Sequence, residues 1–266
     1  MSVDPRLGPV LARLGVPGPA AALTGGTNAS AYRVDGLVVR LLRRGDAALE
    51  ADRARRAAAT GAAPAVVAHL PDLGALVVAH VAGRTLTDRD LRDPAVLRRA
   101  ATAVRLLHTG EHTGRMLDLR AALDAYAAAP DLPAGWVDML PAARRLVDAL
   151  DGGPTVLCHG DLVAGNLVDV GDRVWLVDLD DAIDADPAYD LGNLWVQAGL
   201  GESHLATLVT AYGGGMDAGR VRRWALAVAY TWTAWSRLRA LDPVPTGYDP
   251  LAFGDRLWEY ARGRLL

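Results

Sequence analysis

The chain has 266 residues, 51% of them apolar, and 28 basic against 31 acidic side chains give a net charge of −3. That length supports one large domain or two lobes around a cleft, and the near-even charge balance offers no electrostatic case for a nucleic acid or a membrane as partner. Cys158 is the single cysteine, which excludes an internal disulfide and a cysteine-based zinc site. The stretch from Met1 to Leu14 carries charges every few positions and lacks the apolar core of a signal peptide. The longest apolar run, from Ala225 to Trp235, is about half of a membrane span. A soluble, cytoplasmic protein is the expectation. All 28 basic residues are arginine, and without lysine a Walker-type phosphate loop, which needs Gly-Lys-Ser/Thr, is excluded.

Residues 1–22 read as a short helix and a Pro/Gly turn. Residues 31–34 and 37–41 are β-rich, strand-like runs about Asp35-Gly36, a hairpin signal. Residues 47–59, rich in Ala, Arg and Glu, predict a helix stopped by Gly61 and Pro64. Two more short strands are expected over 65–69 and 75–81. After Gly83 the character changes. Asp93-Pro94 opens a helix over 95–108, and Ala-rich helical sequence over 117–150 is expected to break at Pro130, Pro133 and Pro141. A β island follows at 155–158, then 166–170 and 173–178 about Gly171-Asp172. From Asp190 the chain is helical, with loops at 213–215 and 242–247. The order predicts an α+β, two-lobed fold: a small antiparallel sheet with one helix over residues 1–80, and a larger, mainly helical lobe with a β-hairpin over 81–266.

One stretch concentrates the chemistry. His159-Gly160-Asp161 is followed by Asn166 at the spacing His-x-Asp-x-x-x-x-Asn, and the hairpin then delivers Asp178. Phosphoryl transfer needs an acceptor hydroxyl aimed by a carboxylate and a divalent cation to neutralise phosphate. Magnesium takes a few hard oxygen ligands and keeps waters. Asp161, Asn166 and Asp178 are such a set.

On these residues the chain resembles the aminoglycoside phosphotransferase and choline kinase superfamily, small-molecule relatives of protein kinases, and in particular its choline kinase-like branch. The resemblance implies that Asp161 orients the acceptor hydroxyl, that Asn166 and Asp178 bind Mg2+, and that His159 is a structural loop residue. Leu23-Thr24-Gly25-Gly26-Thr27-Asn28 followed by a strand is similar to the family's Gly-rich turn over ATP, where glycines let backbone amides approach phosphate oxygens. Arg40 stands where protein kinases carry their phosphate-binding lysine. Glu50, in the following helix, is either its partner or a solvated helix charge. Ala79-His80-Val81 resembles the hinge whose backbone meets adenine. Asp186-Pro187-Ala188-Tyr189-Asp190-Leu191-Gly192-Asn193 resembles a further family element in which Asp190 would brace the catalytic loop.

The resemblance implies ATP as co-substrate and a small alcohol as acceptor, in a monomer or homodimer. Asp178, Asp180, Asp181, Asp184 and Asp186 crowd together after the hairpin. They form either a solvated loop or a site for a cation, with Asp180 and Asp186 as candidate contacts. Trp232 and Trp235 are three apart on one helix face. With Tyr248 they are similar to the aromatic cage of choline kinases; ordinary core packing is the other reading. Leu251 and Asp186 stand where those enzymes carry aromatics; the first departs from a full cage, and the carboxylate of the second points towards an acceptor with N–H donors. Choline or ethanolamine, an aminoglycoside, another specialised metabolite, and a non-catalytic nucleotide-binding role all remain open at this point.

Overall fold

The computed structural model describes residues 3–16, 18–23, 28–43, 45–150, 152–242 and 248–265. Helix α1 (Leu7–Leu14) buries Leu7 and Val10 and ends on Gly15 in the left-handed conformation. It packs on a five-stranded antiparallel sheet built from β1 (Ala21–Leu23), β2 (Ala29–Val34), β3 (Leu37–Leu42), β4 (Val66–Leu70) and β5 (Ala75–Ala79). The strand order is β1-β2-β3-β5-β4. Asp35 and Gly36 both have positive φ, 43° and 75°, the two-residue turn that matches the twist of a hairpin. Strand alternation then decides which way Arg40 faces. Val39 and Leu41 on β3 join Tyr32, Val34 and Val77 in a small core on one side of the sheet, so Arg40 emerges on the other. Helix α2 (Ala47–Ala59) covers that second face, packing Ala51 and Ala54 on Leu76. Its start is fixed by Asp46, whose side chain accepts from the amides of Ala48 and Leu49.

The rest of the chain builds a larger body. Strand β6 (Arg84–Thr85) precedes α3 (Pro94–Leu107), α4 (Leu119–Tyr126) and α5 (Trp136–Asp148). Four short strands follow: β7 (Val156–Cys158), β8 (Leu167–Asp169), β9 (Val174–Leu176) and β10 (Ile183–Ala185). They form a β6-β8-β9 sheet and a β10-β7 ribbon. Then come α6 (Pro187–Gln197), α7 (Glu202–Tyr212), α8 (Ala218–Ala240) and α9 (Pro250–Arg262). Every residue of α6 after Pro187 is buried. It reaches α8 closely because Gly192 has no side chain: a Cβ there would lie 2.7 Å from the amide nitrogen of Ala225. Trp136 stacks on Tyr230 at 4.5 Å between ring centroids, and Trp195 and Trp224 are core residues.

This is the expected α+β, two-lobed, protein-kinase-like architecture, with two departures. Pro141 does not break its helix; it lies inside α5. The amide that Pro141 lacks leaves the carbonyl of Val137 without its helical partner, at a residue that is 58% exposed. Strand β10 was not anticipated. Its residues pair with β7, Ile183 opposite Cys158 and Ala185 opposite Val156, and this ribbon holds two loops side by side. Among the described residues no helix is long and apolar enough to cross a membrane.

Candidate active site

The loop carrying His159, Gly160 and Asp161 leaves β7, and the loop carrying Asp178, Asp180 and Asp181 enters β10, so the β7–β10 pairing brings the two together. Asp190, fully buried in the first turn of α6, braces the first loop. Its Oδ2 accepts from the His159 amide at 2.7 Å and its Oδ1 from the Gly160 amide at 3.2 Å. His108 reaches Asp190 Oδ2 through Nε2 at 3.1 Å, while its Nδ1 meets the Tyr212 hydroxyl at 3.0 Å. Burial opposes the Asp190 charge, but His108 and the loop amides more than reverse this and lower its pKa. The Tyr189 hydroxyl donates to the Gly160 carbonyl at 2.8 Å, and the His159 ring Nε2 lies 2.9 Å from the Val177 carbonyl. His159 thus sits in a structural position.

Gly160 has φ +86°, and a Cβ on it would lie 2.0 Å from the Asp181 carbonyl oxygen. Only glycine lets the two loops touch there. Asp161, next in sequence, keeps contact with solvent although the loops around it crowd its carboxyl. Asn166 is turned by a bond from its Nδ2 to the Asp161 carbonyl at 2.8 Å. Asp178 holds a left-handed φ of 66°, a strained conformation for a residue with a side chain.

From the opposite side, Arg40 bridges the lobes. Its Nε is 2.7 Å from Glu50 Oε1, another guanidinium nitrogen contacts Asp178, and a third is 3.6 Å from Asp180 Oδ2. Asn28 donates to Asp180 Oδ2 at 3.1 Å, and Arg53 of α2 donates to the Asp180 carbonyl. Burial works against the charge of Arg40, and Asp178, Glu50 and Asp180 together outweigh it, raising its pKa. Burial likewise pushes Glu50 up, because its share of Arg40 does not fully compensate. Asp178 resists the same penalty and is lowered, with Arg40 as the chief cause. Asp180 is pushed up to about 7 by burial and then by Asp178. Asp161 is pushed up to about 6 by burial and by Asp181 and Asp178, with His159 opposing.

An array of rings gathers from α4, α8, α9 and the residue Tyr248 just before α9. Trp232 and Trp235 meet edge to face at 5.9 Å, Tyr126 of α4 lies 6.4 Å from Trp232, and Phe253 lies 6.3 Å from Trp235 and 5.7 Å from Tyr248. Burial raises the pKa of Tyr126 and of Tyr248, and the charges of Asp181 and Asp161 respectively add to it.

The structure therefore brings Arg40, Glu50, Asn28, Asp178, Asp180, Asp161 and Asn166 to one cleft. Gly25, Gly26 and Thr27 lie outside the described residues. At the hinge, the His80 amide is taken by the Gly36 carbonyl at 2.8 Å and the Ala79 amide by Ala65 at 2.9 Å. Asp186 is corrected. It is 5% exposed, caps α6 by accepting from the Ala188 amide at 2.8 Å, and pairs with Arg220. Its carboxylate is committed to holding the fold and is not free for an acceptor. Asp184 is equally spent, accepting from the amides of Thr113 at 2.8 Å and Gly114 at 2.7 Å. Tyr126 and Phe253 were missed. Phe253 is the sole phenylalanine and sits one turn into a helix announced by Asp249-Pro250; Tyr126 gave no local signal in an Ala-rich helix.

The small sheet with its helix α2, set against the larger helical body and joined to it by Arg40 and Asp178, is a protein-kinase-like architecture. The chain matches the phosphotransferase enzyme family over residues 19–241 and belongs to it. It is similar to a choline/ethanolamine kinase family protein from Mesorhizobium loti, at 28% identity and TM-score 0.83, covering 97% of this chain and 94% of that one. It shares its fold with a choline kinase from Streptococcus pneumoniae, at 15% identity, TM-score 0.82 and 97% coverage of both chains. It also shares it with the phosphotransferase APH(2″)-IIa solved with streptomycin and ATP, at 15% identity and TM-score 0.69, covering 90% of this chain and 91% of that one. No curated protein sequence matches the chain.

Proposed function

We propose that the protein transfers the γ-phosphoryl group of ATP to a hydroxyl of a small cationic alcohol of the choline or ethanolamine kind. The observation that carries this reading is the array of rings from Tyr126 to Tyr248, whose two terminal tyrosines feel the charges of Asp181 and Asp161. Rings attract an alkylammonium by about 0.5–2 kcal/mol each, and such a cation docked there would present its hydroxyl towards Asp161. Asp161 would accept or orient the hydroxyl proton. In this reading residues 1–80 serve the nucleotide and 81–266 the acceptor, in the cytoplasm where ATP is available.

Arg40, held extended by Glu50, would meet phosphate, and the turn at Gly25, Gly26, Thr27 and Asn28 would cover it. With the His80 amide already occupied, adenine would meet the Ala79 carbonyl and the Val81 amide. The donor set fits magnesium: the carboxylate of Asp178 and the carboxamide oxygen of Asn166, whose nitrogen is anchored on the Asp161 carbonyl, are hard oxygens. Magnesium, when bound, would neutralise phosphate charge.

A second reading, phosphorylation of an aminoglycoside, is supported by the likeness to APH(2″)-IIa and by carboxylates beside the rings. The test is purified protein with ATP and magnesium, offered choline, ethanolamine, streptomycin and a neutral polyol, with ADP release measured. Turnover of the amino alcohols is expected. Turnover of streptomycin alone would install the second reading, and ATP binding without turnover of any acceptor would make the chain a nucleotide-binding module.

A further inference from the structure

The carboxylates between Asp178 and Asp190 do not share one role. Asp178 and Asp180 are held by Arg40 and Asn28, Asp184 by two backbone amides, Asp186 by Arg220, and Asp190 by His108 and two loop amides. Asp181 is the exception. It is exposed and, among the described residues, makes no ion pair and no side-chain hydrogen bond. Its position is nonetheless fixed. Its carbonyl and Cβ press on Gly160, the Cβ only 3.3 Å from where a Gly160 side chain would begin, so it stands beside the residue that precedes Asp161. Its charge is felt both by Asp161 and by Tyr126, the first ring of the aromatic wall.

Two neighbouring carboxylates without partners, one of them felt by the first ring of the array, make a demand on whatever fills the space. Ring faces alone satisfy a quaternary ammonium, which has charge but no donor. A primary or secondary ammonium also carries N–H groups. Against rings alone those donors would be stripped of water without replacement, at a penalty. A free carboxylate at the edge of the rings supplies the acceptor. A site built to hydrogen-bond a substrate N–H discriminates strongly against an analogue that lacks it.

We propose that Asp181 is a specificity-determining residue that receives the N–H groups of the acceptor's ammonium, so that the site prefers a primary amino alcohol to its quaternary counterpart. This rests on the cationic-alcohol reading above and refines it. Asp181 binds and positions the amine; the proton of the reacting hydroxyl remains the business of Asp161.

The test is a methyl series: ethanolamine, N-methylethanolamine, N,N-dimethylethanolamine and choline, all cations at neutral pH, with three, two, one and no N–H groups. With the wild-type protein, kcat/KM should fall along the series, by about tenfold or more from first to last, which corresponds to about 1.4 kcal/mol. In Asp181→Asn the slope should flatten, the ethanolamine-to-choline ratio dropping about tenfold with the KM for ATP unmoved. A flat or rising wild-type series overturns the proposal without any variant being needed. A variant that loses all four acceptors equally also overturns it, and a raised magnesium requirement in that variant would reassign Asp181 to the metal. Turnover of a neutral polyol alone would sink the cationic-alcohol reading itself, a result distinct from a flat series.

Discussion

The Nε of Arg40 stands 2.7 Å from Oε1 of Glu50, and both side chains are largely buried between the sheet and helix α2. The pair lets β3 and α2 set the reach of one guanidinium across the cleft to Asp178. Three acidic groups depend on it. Arg40→Ala strands them, and breaking such a buried network costs about 3–5 kcal/mol. Denaturant unfolding should show a loss of that order. Arg40→Lys keeps the charge but lacks the planar fork that touches Glu50 and Asp178 together. Its unfolding free energy should fall less than in the alanine variant, while kcat/KM for ATP drops about tenfold or more. An alanine variant as stable as the wild type would show that the network carries no strength.

Asp161→Ala should lower kcat by about a thousandfold, the middle of the range for a positioned proton acceptor. Nucleotide affinity, read by titration with ATP and magnesium, should move less than threefold because Asp161 stands on the acceptor side. Undiminished turnover would remove Asp161 from the reaction.

The raised pKa of Asp161, about 6, sets the direction of a pH profile. The carboxylate acts in its ionised form, so kcat/KM for the acceptor should rise with pH through about 6 and level off above it. Stability runs the opposite way for this group. The folded state binds its proton more tightly than the unfolded chain does, so its unfavourable contribution at neutral pH is relieved as pH falls through about 6 towards the ordinary carboxylate range. An acidic limb below pH 4.5 would contradict the environment described for Asp161.

Trp232 and Trp235 are half-buried and touch each other as well as Tyr126 and Phe253. Trp232→Ala and Trp235→Ala should each raise the acceptor KM about fivefold to tenfold, the worth of one ring facing a cation. The KM for ATP should stay level. If thermal unfolding drops while the acceptor KM holds, the rings serve packing and not recognition.

Chelation of divalent cations should abolish turnover, and Asp178→Asn should raise the magnesium concentration needed for half-maximal rate by about tenfold or more. Full activity in a chelator would separate Asp178 from any metal role.

Much of this was legible before any coordinates. The Asp35-Gly36 hairpin, the strand through Arg40 and the Gly61 stop follow local rules, and each appears in the fold. The spacing of Asn166 and Asp178 survives as proximity because the hairpin signalled by Gly171-Asp172 folds one back beside the other, the Val177 amide donating to the Asn166 carbonyl at 3.0 Å, whereas the β7–β10 ribbon that aligns the Asp161 loop with them gave no signal. Asp186 was misjudged by neglecting a local rule that had been applied elsewhere. Asp-Pro opens α3 at Asp93, and the same dipeptide opens α6 at Asp186 and α9 at Asp249. The roles of Asp181 and Tyr126 could not be read locally. One depends on which carboxylates find partners 34 to 138 residues away, such as Arg220 for Asp186 and Arg40 for Asp178. The other depends on helix α4 docking against α8.

Arg40 also determines how the nucleotide pocket can be interrogated chemically. Reagents that carry an activated acyl group on a nucleotide label kinases by acylating a side-chain amine near the phosphates, and this chain has no lysine to offer. Such probes should pass over it at any dose. Dicarbonyl reagents that seize guanidinium groups should find the site instead, and bound ATP should shield it from them.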